Sequence, residues 1–97
     1  MSSIETAIIR DAKAHINAAN LDGLRAFYQD TLATEFPSPV DWAYVLQKVY
    51  IHACLKRQHA AAAWLEQLFW MNVDPINQIA YRQMFPYGRY LLNRRRT

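Results

Sequence analysis

Between Ile4 and Leu91 the apolar residues recur at intervals of three and four, and no stretch alternates apolar with polar for long enough to make a strand. That spacing is the mark of helices that each bury one face. Two glycines in 97 residues leave too few tight turns for an all-β chain. They also leave no glycine-rich loop to cradle a phosphate. With 53% hydrophobic and 20% charged residues, the composition is that of an ordered domain, and the length suits one domain with one core.

The breaks divide the pattern into about six helices. Ile4, Ile8, Ala12 and Ile16, widened by Ile9 and Ala19, predict a helix over about 3–18, with Ser2 or Ser3 ahead of it and Glu5 in its first turn. Asn20 reads as the cap of a second helix over about 21–34, carrying Leu21, Leu24, Phe27, Tyr28 and Leu32. Pro37 and Pro39 make the linker, since each disfavours helix at the residue before it. Ser38 is expected to cap a third helix over about 39–56, with Pro39 first and Asp41 in the capping-box place. Its stripe is Trp42, Val45, Leu46, Val49 and Ala53. A fourth helix buries Trp64, Leu65, Leu68 and Phe69 and ends near Asn72. Asp74-Pro75 opens a fifth over about 75–84, whose apolar residues are Ile76, Ile79, Ala80 and Met84. Pro86 should end or kink it, and Tyr87, Tyr90 and Leu91 mark a short sixth. The expected architecture is all-α: three antiparallel helical hairpins over about 3–34, 39–72 and 75–95, stacked as a short α-solenoid, with a basic tail at 93–97.

The first two hairpins match at an offset of 41: Ile8 with Val49, Ala12 with Ala53, Leu24 with Leu65, Phe27 with Leu68 and Tyr28 with Phe69. Ile51-His52-Ala53-Cys54, followed by Gln58-His59, resembles the Leu-His-x-Ala segment of ankyrin repeats and the step that opens their second helix. Ala19-Asn20-Leu21-Asp22-Gly23-Leu24 resembles that family's Gly-Asn-Leu-Asp-x-Val run. The turn glycine is replaced by Ala19 and Gln58, the Thr-Pro pair by Val49-Tyr50, and the spacing exceeds the family's repeat of about 33. The resemblance implies a helical-pair repeat without developed β-hairpin fingers, a structural His52 that hydrogen-bonds within the repeat, and a protein-binding role. The family binds mostly through fingers, so it transfers no binding residue to this chain.

The net charge of +3 is unevenly placed. After Asp74 there is no acid, while Arg82, Arg89, Arg94, Arg95 and Arg96 follow; the rest of the chain holds eight acids against six basic residues. The arginines suit the negative end of a last helix, or else make an electrostatic footprint for nucleic acid or an acidic partner. A lone cysteine, Cys54, excludes an internal disulfide and points to a reducing, cytoplasmic setting. The first residues lack a secretory pattern, and the longest apolar run, from Ala60 to Leu65, is far short of a membrane span.

Chemistry-bearing residues are few. His15, His52, His59 and Cys54 lack metal-ligand spacing. Cys54 and His52 are two apart and point away from each other on a helix. The acids sit at caps and on polar faces, so no acid–base pair emerges. The expectation is a protein that is not an enzyme and takes no cofactor. Aromatics exceed what one small core absorbs. Trp70, Tyr81, Tyr87 and Tyr90 are therefore expected to bind another protein or a second copy, because such residues are enriched at interfaces and uncapped arrays have open ends. The alternative is nucleic-acid binding through Arg82, Arg89, Arg94, Arg95 and Arg96, interleaved with tyrosines that can stack on bases.

Overall fold

The computed structural model describes residues 3–94, whose regular secondary structure is all helix, with no strand among them. The helices are α1 (Ser3–Asn17), α2 (Leu21–Ala33), α3 (Trp42–Leu55), α4 (His59–Asn72), α5 (Pro75–Tyr81) and α6 (Met84–Asn93). No described helix is long and apolar enough to cross a membrane. Arg95 and Arg96, and with them most of the expected basic tail, lie outside the described residues, as does Ser2.

Helix α3 occupies the centre. It packs on α4, α1 and α6, and less extensively on α5, while α2 packs on α1. Its central place follows from its composition: Val45, Leu46, Val49, Tyr50, Ala53 and Cys54 are all buried, so α3 is apolar over most of its circumference. Burial pushes the Cys54 thiol above its ordinary range, which keeps it a packed apolar group.

The connections after α1 and α3 are built alike. Asn20 N–H bonds His15 O and Ala19 N–H bonds Ile16 O; Gln58 N–H bonds Ala53 O and Arg57 N–H bonds Cys54 O. These are Schellman turns. The left-handed residues are Ala19 and Arg57, with φ of 53° and 57°, positions where glycine is the usual occupant. The two turns correspond at an offset of 38 residues, not the 41 at which the apolar classes match. The two registers differ by three residues, close to one helical turn, so the buried faces stay aligned in either. Asn20 caps α2 as expected, its side chain accepting from Gly23 N–H at 2.9 Å. Gln58 has no such cap bond and instead reaches back to donate to Ile16 O.

Three expected boundaries move. Helix α3 starts at Trp42, not Pro39, and its cap is Asp41, whose carboxylate accepts from Tyr44 N–H at 3.1 Å. From within α1, the Glu5 carboxylate accepts the Asp41 N–H at 2.9 Å, so the cap residue is also tied to a neighbouring helix. Helix α5 ends at Tyr81, three residues early. Pro86 neither ends nor kinks a helix: it is the third residue of α6, within the first turn, where a missing N–H has no helical acceptor to lose.

Tyr28 is fully buried, with its ring against Phe27, Trp42 and Trp64. Its hydroxyl has no partner among the described residues, and burial raises its pKa well above the tyrosine norm. Tyr28→Phe removes that unsatisfied group and keeps the ring. It is expected to leave stability unchanged or to raise it by about 1 kcal/mol. A lower thermal midpoint in the variant would contradict this.

Candidate interaction surface

The end of α4 and the two last helices carry the aromatic surplus. Phe85 of α6 lies against three rings: Tyr50 of α3 at 5.0 Å, Phe69 of α4 at 5.0 Å and Trp70 of α4 at 5.2 Å. Phe69 and Trp70 also meet edge to face at 5.1 Å. This cluster fixes α6 to α3 and α4 and leaves Trp70 half out in solvent. The Trp70 indole donates to Glu66 Oε2 at 3.4 Å, and Glu66 in turn takes the Arg89 guanidinium at 3.1 Å. Such a solvent-exposed ion pair adds about 0–1 kcal/mol of stability. Its main effect here is to orient Trp70 and Arg89 side by side.

Helix α5 lies with its apolar side outward. Ile76 and Ile79 are 78% and 65% exposed, and no residue of α5 is buried. Of the four apolar residues from which the sequence placed this helix, Ile76, Ile79 and Ala80 are exposed, while Met84 is buried and belongs to α6. Gln78 supplies the reason. Its amide donates to Trp70 O at 3.2 Å and to Val73 O at 2.9 Å, capping carbonyls freed at the end of α4. Tyr81, one turn on, packs half-buried against the core. With Gln78 and Tyr81 turned inward, Ile76 and Ile79 lie on the opposite face. Met71, the residue after Trp70, is 80% exposed.

Of the four aromatic residues expected to bind, Trp70, Tyr87 and Tyr90 are exposed. Tyr81 is the exception, being spent on packing α5. Ile76, Ile79 and Met71 are exposed as well and were not singled out in the sequence. Among the arginines, Arg82 and Arg94 are exposed and Arg89 is held by Glu66. The charge run that is acid-free in sequence is thus not acid-free in space.

The histidines do not gather. His15 stacks near Phe27, His59 opens α4 in solvent, and His52 Nε2 lies 2.7 Å from Asn17 Oδ1. Among the described residues no three His, Cys, Asp or Glu side chains are placed to hold a metal ion. Set against protein-family models, curated proteins and solved structures, the chain matches none of them.

Proposed function

We propose that the chain is a non-enzymatic protein–protein interaction module of the helical-repeat type, and that its partner is a second copy of itself. The observation that carries this reading is the outward apolar face of α5. A helix that turns two isoleucines to water gains from covering them, and large exposed apolar surfaces on small domains mark association sites. The ends of α5 carry opposite charges, Asp74 before it and Arg82 after it, about 12 Å apart at helical rise. Two such helices laid antiparallel across a two-fold axis bring Ile76 against Ile79 and Asp74 against Arg82, the self-complementarity that a two-fold interface requires. A stable interface covers about 800 Å² on each partner, more than α5 offers alone. Trp70, Met71, Tyr87 and Tyr90 supply the remainder, with Trp70 as the anchor.

Sedimentation of the purified chain tests the proposal. Dimers are expected at micromolar concentration, against the 11.4 kDa of a monomer. Replacing Ile76 and Ile79 together by aspartate is expected to give monomers with an unchanged helical spectrum, since neither residue is in the core. A native chain that stays monomeric at high concentration would overturn the self-association reading.

A further inference from the structure

The chain has only three lysines, Lys13, Lys48 and Lys56, and the fold gathers all of them around one cleft. The cleft lies between α1 and α3, has a volume of about 290 Å³, and is lined by Lys13, Gln47, Lys48, Ile51, His52 and Leu55. Lys56, in the turn after α3, is close enough for its charge to act on His52, as does that of Lys13. No acid lines the cleft. Ile51 and the half-exposed Leu55 give it an apolar floor. The Lys48 ammonium sits 5.4 Å from the centre of the Tyr44 ring, and Asn17 orients the His52 imidazole across the gap between α1 and α3.

We propose that this cleft binds a small amphiphilic anion, with a carboxylate or phosphate-monoester head among Lys13, Lys48 and His52 and a short apolar body on Ile51 and Leu55. Lysines brought together with no acid between them repel one another, and an anionic head relieves that repulsion. His52 responds to the same field: burial first, then Lys13 and Lys56, hold its pKa below the ordinary histidine range. The volume is at the low end for ligand sites, which suits a small molecule rather than a nucleotide cofactor. The apolar floor gives a bare inorganic ion nothing to cover, so head and body are both part of the specificity.

The test uses the full chain and octyl phosphate, followed by calorimetry and by NMR of the His52 ring and the Leu55 methyls. One-to-one binding is expected, with both resonances moving. The charges that act on His52 are Lys13 from α1 and Lys56 from the turn after α3, and Lys48 lines the same cleft. A bound anion offsets all three, so the His52 titration midpoint should rise. Lys13→Glu and Lys48→Glu should each weaken binding at least tenfold, and Lys13→Gln and Lys48→Gln serve the same purpose if a charge reversal disturbs the helices. Leu55→Ser should weaken octyl phosphate while leaving the feebler affinity for inorganic phosphate unchanged. Octylammonium should not bind. The proposal is overturned if octyl phosphate fails to bind below millimolar concentration, if the lysine variants bind it as well as the native chain, or if octylammonium binds equally. Stoichiometric displacement of octyl phosphate by a short oligothymidylate would also overturn it, in favour of a nucleic-acid surface.

Discussion

Replacing Phe85 by alanine is expected to destabilise the protein by about 3–5 kcal/mol, as loss of a fully packed phenylalanine commonly does. Phe85 is buried and is the one ring that touches Tyr50, Phe69 and Trp70 together. Removing it leaves a cavity where three helices meet, and those helices cannot close on it without shifting Gly88 against Tyr50. A domain of this size has a total stability of about 5–15 kcal/mol, so the loss is a large share of the whole. Urea denaturation followed by circular dichroism measures the effect. A loss below about 1 kcal/mol would mean that α6 is not held by this cluster. Phe85→Leu, which restores most of the volume, should recover more than half of the loss.

Gly88→Leu should also destabilise the protein, by a smaller amount and for the opposite reason. Gly88 is buried in α6 with the Tyr50 ring directly over it, so even an added Cβ would fall inside the ring's contact distance. Tyr50 is itself buried and flanked by Phe85, so it has no room to swing aside. In an exposed helix, leaving glycine behind would gain about 1 kcal/mol. Here the overpacking exceeds that gain, and a net loss of about 2–3 kcal/mol is expected for leucine. At about 4–8 °C per kcal/mol for a domain of this length, the thermal midpoint should drop by more than 8 °C. A midpoint equal to or above that of the native chain would show that α6 does not approach α3 through this glycine. Gly88→Ala gives the graded control, with a smaller drop.

The helices were legible because their signals are local. The stripe of α1, the Asn20 cap and the buried faces of α2 to α4 depend on residues within a turn or two of one another, and the structure places them as expected. The start of α3 was placed at Pro39 although Asp41 is itself a local cap; the Asp41 N–H is held by Glu5, thirty-six residues away, a contact that spacing does not show. The orientation of α5 depends on Gln78 finding carbonyls at the end of α4, again a tertiary event, and periodicity alone does not show that Ile76 and Ile79 face outward. Pro86 was misread because its effect depends on where the helix begins. The candidate surface was half visible: the aromatic surplus pointed to Trp70, Tyr81, Tyr87 and Tyr90, of which Tyr81 is half-buried, but not to the exposed Ile76, Ile79 and Met71. The lysine cleft gave no sign at all, since its charges come from separate helices and the chain's visible charge asymmetry lies at the other end.

The slender attachment of α5 bears on how the proposed surface would work. Among the described residues, the contacts that hold this helix to the body centre on Gln78, Tyr81 and a light touch on α3. Detaching it exposes little that was dry, so its local opening costs far less than unfolding the body. In the proposed association this helix would therefore tilt or slide to fit while the rest of the scaffold stays put. Freedom to adjust at a two-fold seam would then come from the same few contacts that turn its isoleucines toward water.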